Sequence, residues 1–168
     1  MNRMTVAALV LAAVLTWTST AGAESGATTI FLVRHTEKAD AGEDPGLTDI
    51  GLQRARALAR TLEDADIKRI YSTDYARTRD TAGPVAAQLG LAVEFYDPRE
   101  LEAFAASLRR SGQNTLVVGH SNTTPQMVEL LGADPGKAID EKTEFDRLYV
   151  VTLDDNGANS IILRYGSD

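Results

Sequence analysis

Two short apolar runs, each delivering a histidine, constrain this chain more than any other feature. The first reads Thr29-Ile30-Phe31-Leu32-Val33-Arg34-His35-Thr36-Glu37-Lys38 and the second Thr115-Leu116-Val117-Val118-Gly119-His120-Ser121-Asn122. Apolar, β-branched runs of this length read as buried strands, and parallel strands of that kind place functional loops at their carboxyl ends. A single histidine after a strand is most simply a hydrogen-bonded structural residue. Here both histidines of the chain occupy such a position, with Arg34 beside the first, and that combination points to phosphate chemistry.

The first residues read as a processing signal. Arg3 supplies a positive start, residues 6–15 form an apolar stretch, and Ala21-Gly22-Ala23 fits a small-residue cleavage site. The stretch is too short for a comfortable membrane span. The expectation is a signal peptide over residues 1–23 and one domain over residues 24–168, exported to a periplasm or secreted, with no stable membrane anchor.

Composition narrows the chemistry. There is no cysteine, which excludes thiolate nucleophiles, disulfide staples and an acylated-lipoprotein anchor. The net charge of −7 argues against a nucleic-acid partner, since such proteins usually present a basic face. An anionic substrate would meet an unfavourable overall field, so a phosphate site must be a local, arginine-rich pocket.

The pattern along the chain alternates strand and helix. Residues 40–45 are a turn-rich loop, and Thr48 is a plausible cap for a helix burying Ala55, Leu58, Ala59 and Leu62, with Arg54, Arg56 and Arg60 facing elsewhere. A strand over 68–71 leads to a helix over about 75–89, which Gly83-Pro84 should kink or split. A strand over 93–96 precedes a helix opened by Asp97-Pro98, and a strand over 114–118 precedes a helix from about 125 to 131. Two strands, 147–153 and 160–165, joined through Asp154-Asp155-Asn156-Gly157, read as a hairpin. The pattern implies an α/β fold: a three-layer α/β/α sandwich with a mostly parallel central sheet and an antiparallel edge hairpin.

Three segments carry candidate chemistry. In Arg34-His35 a neutral imidazole can attack phosphorus, while a guanidinium holds two phosphoryl oxygens in a fork. Arg77, in the first turn of the helix after Tyr71-Ser72-Thr73-Asp74-Tyr75, sits where free backbone N–H groups already favour anions. In Gly119-His120-Ser121-Asn122, Gly119 permits close backbone approach and His120 can donate to a phosphoryl oxygen. Asn122 can donate as well or cap the next helix.

Together these segments resemble the histidine phosphatase superfamily, which contains phosphoglycerate mutases and phosphohistidine phosphatases. Leu32-Val33-Arg34-His35-Thr36-Glu37 is similar to its Arg-His-Gly-Glu signature, with Thr36 in place of glycine. Leu47-Thr48-Asp49-Ile50-Gly51 resembles its Leu-Thr-x-x-Gly element, residues 72–82 its Ser-Ser-x-x-x-Arg-x-x-x-Thr-Ala element, and Val117-Val118-Gly119-His120 its second-histidine strand. The resemblance implies a phosphoglycerate mutase-like fold and a phosphatase using neither metal nor cofactor. It implies His35 as the nucleophile that becomes phosphohistidine, with Arg34, Arg77 and His120 stabilising the phosphoryl oxygens. It also implies a carboxylic acid after the third strand. Asp97-Pro98-Arg99-Glu100-Leu101-Glu102 offers Glu100 ahead of Glu102, each equally readable as a solvated helix residue. Lys38 and Glu37 are further pocket candidates.

Other classes fit less well. Gly119-His120-Ser121-Asn122-Thr123 has a serine-hydrolase flavour, but Thr123 stands where that tight elbow needs glycine and no histidine follows Ser121. A metal hydrolase needs more clustered ligands. A non-catalytic phosphate-binding module and a phosphohistidine protein phosphatase remain alternatives to an exported phosphomonoesterase acting on a small or macromolecular phosphate ester. A mutase is disfavoured, because residues 24–168 leave little room for the insertions that close a mutase site.

Overall fold

A computed structural model describes residues 26–166; the expected signal segment lies outside them. The elements run β1 (Thr28–Arg34), α1 (Asp49–Thr61), β2 (Arg69–Ser72), α2 (Ala76–Leu89), β3 (Val93–Phe95), α3 (Leu101–Ser111), β4 (Thr115–Gly119), α4 (Thr123–Leu130), β5 (Arg147–Asp154) and β6 (Gly157–Arg164). They form one six-stranded sheet in the order β3-β2-β4-β1-β5-β6. The first four of these are mutually parallel, while β5 runs antiparallel to both β1 and β6.

The continuous apolar runs belong to the two central strands because both of their faces are covered. Ile30 and Leu32 of β1, with Val117 of β4, face Leu101, Leu108, Met127 and Leu131 of α3, α4 and the residue after α4. Phe31 and Val33, with Leu116 and Val118, face Leu58, Leu62, Ala82 and Val85 from the α1 and α2 side. Each fully buried leucine or isoleucine contributes on the order of 1.5–3 kcal/mol. The three layers expected from the alternation are those observed.

Several boundaries differ from the sequence expectation, each for a local reason. Helix α2 does not split at Gly83-Pro84, and Pro84 lies inside it. Proline removes one helical hydrogen bond and crowds the Cβ of the residue before it. Gly83 has no Cβ and open space around it, while the carbonyl left unpaired belongs to the exposed Asp80. Helix α3 starts at Leu101, not at Pro98, because Asp97 folds the chain into a turn of its own: its carboxylate accepts from Arg99 N at 2.9 Å and its carbonyl from Glu100 N at 3.1 Å. Helix α4 begins two residues before Pro125, which sits in its first turn.

The start of α1 is pressed against the exit of β1. Thr48 caps the helix by accepting from Gly51 N at 3.1 Å, and its own N–H donates to Glu37 O at 2.9 Å. A Cβ on Gly51 would stand 2.2 Å from that same carbonyl oxygen. Glycine is therefore required here by contact. Arg54, expected to face away from the apolar side of the helix, is half-buried and closes on the Glu37 carboxylate at 2.9 Å.

Candidate active site

Strands β1 and β4 are in register with Arg34 opposite Gly119, so the next residues, His35 and His120, emerge side by side. Their ring centroids lie 5.6 Å apart, edge to face. His35 is nearly inaccessible, with 4% of its surface exposed. Its backbone N–H donates to Gly119 O at 2.9 Å, and its ring Nδ1 lies 2.7 Å from Thr36 O. A carbonyl only accepts, so Nδ1 carries the proton and Nε2 keeps the lone pair. Burial pushes the His35 pKa down to about 3, helped by the positive charge of Arg34 and Arg77. At neutral pH the ring is an uncharged base with its tautomer fixed.

His120 is held differently. Its Nε2 lies 3.0 Å from Thr73 Oγ1, which lies 3.0 Å from Thr78 Oγ1, and Thr78 donates to Thr73 O at 2.8 Å. The terminal carbonyl fixes the direction of the chain: Thr78 donates outward, Thr73 donates to Thr78, and His120 Nε2–H donates to Thr73. His120 Nδ1 is then the acceptor facing Arg77 Nη2 at 3.5 Å. Burial, followed by the charges of Arg77 and Arg34, lowers the His120 pKa to about 4. Gly119 lets this turn pack tightly, since a Cβ there would meet Tyr96 Oη at 2.9 Å.

Arg77 reaches back from the first turn of α2, with its guanidinium carbon 4.5 Å from the centre of the Tyr75 ring, and Tyr75 in turn packs edge-on to His120 at 5.3 Å. Asp44, from the loop after β1, takes the Ala76 N–H at 2.9 Å and comes within 4.0 Å of Arg77 Nη1. The Nε–H groups of Arg77 and Arg34 are both buried without a partner. An unsatisfied buried donor is costly, and each of these two is a candidate donor to an anionic oxygen.

A cavity of ≈ 380 Å³ opens over the histidines. Among the residues named from the sequence, His35, His120, Arg77, Lys38 and Asn122 line it. Asn122 occupies the position before α4 without capping it through its side chain, so it remains free to donate into the cavity.

Four residues named from the sequence as site candidates are placed otherwise. Glu100 does not line the cavity; it is exposed at the cap position of α3, because the Asp97 turn delays the helix. Glu102 is likewise exposed on α3 and away from the lining. Arg34 does not present its fork to the cavity. Its Nη1 donates to Glu144 O at 3.1 Å and Asp140 O at 3.4 Å, its Nη2 donates to Glu141 O at 2.8 Å, and its guanidinium stacks 4.1 Å from the centre of the Phe145 ring. Only Nε remains for a ligand. Glu37 is absorbed by Arg54. The residues that sequence reasoning missed are Thr73 and Thr78, which orient His120, Tyr75, which supports Arg77, and Glu141, which lines the cavity. Thr73 and Thr78 lie inside the segment singled out around Arg77, but nothing in their spacing reveals the hydroxyl chain.

Comparison with known proteins agrees with this geometry. A model of the histidine phosphatase superfamily (branch 1) matches residues 30–101. Over 106 residues the chain is 30% identical to "Probable phosphoglycerate mutase GpmB" of Yersinia pestis, covering 59% of this chain and 49% of that protein. The chain thus spans about half the length of the curated relatives it matches. Among solved structures, the protein histidine phosphatase SixA complexed with tungstate superposes with a TM-score of 0.65 at 26% identity, over 83% of this chain and 97% of that one. The alpha-ribazole phosphatase of Shigella flexneri shares the fold, with a TM-score of 0.66 at 16% identity over 84% and 100% of the two chains. Over residues 30–101 the chain thus matches the histidine phosphatase superfamily, and its fold is similar to that of the protein histidine phosphatase.

Proposed function

We propose that this protein is a phosphatase that hydrolyses phosphomonoesters through a phosphohistidine on His35. One observation carries the reading: a buried, neutral imidazole with its Nε2 lone pair available stands beside two guanidinium groups whose Nε–H donors are buried and unpartnered. In the proposed reaction Nε2 attacks phosphorus in line, and the Nδ1–H bond to Thr36 O steadies the ring as positive charge develops. Arg77, the Nε–H of Arg34, Lys38 and Asn122 take phosphoryl oxygens. A bound phosphoryl dianion favours the charged form of His120, so its Nδ1 gains a proton and becomes a further donor. Water then hydrolyses the phosphoenzyme. The 26% identity to a protein histidine phosphatase solved with tungstate, a tetrahedral oxyanion, supports the same anion pocket and favours a phosphohistidine-bearing protein as a second substrate class.

We also infer that residues 1–23 direct export, so that the mature chain begins at Glu24 in a periplasm or outside the cell; the apolar stretch followed by Ala21-Gly22-Ala23 supports this. Intact mass of protein from an osmotic-shock fraction should correspond to Glu24 onward, and retention of Met1 in the cytosol would overturn it.

The catalytic reading is tested by denaturing the protein at alkaline pH during turnover of a phosphoryl-labelled ester. An acid-labile label on His35, absent from His35→Ala along with turnover, is expected. Full activity in His35→Ala would overturn the mechanism, and phosphate binding without turnover in the wild type would leave only a binding module.

A further inference from the structure

We propose that the Glu141 carboxylate is the acid and base of this reaction, an assignment that rests on the phosphohistidine reading above. An alkyl alcohol leaves phosphorus readily only when its oxygen is protonated as the bond breaks. The site's nitrogen groups are poorly placed to supply that proton. The His35 Nδ1–H is held by Thr36 O and the His120 Nε2–H by Thr73 Oγ1, the His120 Nδ1–H gained on substrate binding is committed to a phosphoryl oxygen, and Arg77 and Lys38 bind as cations.

Most nearby carboxylates are already engaged. Glu37 is paired with Arg54, and Asp44 with Ala76 N and Arg79. Asp97 is paired with Arg99, Asp140 accepts from Lys142 N, and Glu144 pairs with Arg147 and Arg164. Glu100 and Glu102 lie outside the cavity lining. Among the described residues, Glu141 is the one carboxylate that lines the cavity shared by His35 and His120.

Its place there is secured by the backbone. Arg34 extends from the end of β1, one residue before His35, and its Nη2 donates to Glu141 O at 2.8 Å while Nη1 holds Glu144 O at 3.1 Å. The clamp ties the segment bearing Glu141 to the strand that carries the nucleophile. It grips only main-chain oxygens, so the Glu141 carboxylate is not consumed by the clamp. That side chain is exposed, which lets it exchange protons with water between steps.

In the first step the His35 Nε2–P bond forms as the ester P–O bond breaks, and the Glu141 proton passes to the departing oxygen. In the second step the Glu141 carboxylate removes a proton from water, the water oxygen bonds to phosphorus, the P–N bond breaks, and phosphate leaves with the acid restored. No other reactant is required.

Glu141→Gln tests the assignment, and it preserves the clamp because Arg34 binds the carbonyl. Two substrates are compared: a primary alkyl phosphate and p-nitrophenyl phosphate, whose leaving group needs no proton. Alkyl phosphate turnover should fall by about 10²–10⁴-fold. With p-nitrophenyl phosphate the first step should survive and the second slow, giving a burst of one equivalent of nitrophenol and accumulation of phosphoryl label on His35. Glu100→Gln should behave as wild type. Wild-type rates for Glu141→Gln on both substrates, or an equal loss on both without a burst, would overturn the assignment, as would the leaving-group pattern appearing at Glu100→Gln instead. Failure of the wild type to label His35 would overturn the underlying phosphohistidine reading. A labelled wild type with an unaffected Glu141→Gln overturns only the role given to Glu141.

Discussion

His35 and His120 leave neighbouring parallel strands at the same level, yet the protein fixes their protons by different means. On the β1 side a single backbone carbonyl, Thr36 O at 2.7 Å, holds Nδ1–H, and the surrounding wall is main chain: Gly119 O on the His35 N–H, and α1 pressed against Glu37. On the β4 side two side-chain hydroxyls, Thr73 and Thr78, relay the constraint before it ends on a carbonyl. A tautomer set by main chain cannot be altered by a point substitution at its partner. One set by hydroxyls can. The difference suits the proposed roles, with an unvarying lone pair at the nucleophile and a tunable nitrogen at the oxyanion side.

The comparison breaks most completely at the imidazoles themselves. His35→Ala is expected to abolish turnover and label, whereas His120→Ala removes one stabilising donor and should lower kcat about 10²–10³-fold while His35 still labels. Rapid-quench kinetics on both variants check this; equal, complete losses with no label in either would erase the distinction.

A smaller effect sharpens the comparison at the relay. Thr73→Val takes away the acceptor for His120 Nε2–H, a loss of about 1–2 kcal/mol that lowers kcat roughly 10-fold and lets His120 adopt its other tautomer. Thr78→Val should do less, since Thr73 retains its hydroxyl. No variant of Thr36 that keeps the backbone in place should produce a comparable change in the pH profile of kcat. A Thr73→Val profile identical to wild type would show that the hydroxyl chain does not orient His120.

The smallest difference is in stability. Both histidines have folded pKa values depressed below the ordinary 6.5, to about 3 for His35 and about 4 for His120. As pH falls below 6.5 the unfolded chain takes up protons that the folded chain refuses, so stability declines. The slope is up to about 1.4 kcal/mol per pH unit for each histidine, and it ends sooner for His120. Thermal unfolding between about pH 6.5 and 5.5 should show this slope reduced in His35→Ala and in His120→Ala. An unchanged slope in both would mean that neither ring is buried neutral.

The sheet and its two histidines were legible because buried parallel strands have an unmistakable composition: Ile30 to Val33 and Leu116 to Val118 admit little else. The cap at Thr48 and the buried face of α1 followed from spacing. What was hidden depends on the main chain. The Asp97 turn displaces the start of α3 and carries Glu100 out to the cap position, and apart from the Asp-Pro pair nothing in the sequence announces it. Arg34 was read as a two-pronged phosphate ligand, but its partners are carbonyls of residues 140–144, a stretch whose sequence shows no helical or strand period. Backbone oxygens belong to every residue type, so no composition points to them. Glu141 escaped notice for the same reason.

That clamp has an evolutionary consequence. Because Arg34 recognises the shape of the 140–144 segment and not its side chains, substitutions at Glu141, Lys142 and Thr143 need not disturb the strand that bears the nucleophile. Selection can therefore vary the side chains of that segment while the attacking nitrogen stays where it is. A library randomised at Lys142 and Thr143, with Glu141 kept as the acid and base, should stay folded far more often than one randomised at Arg34.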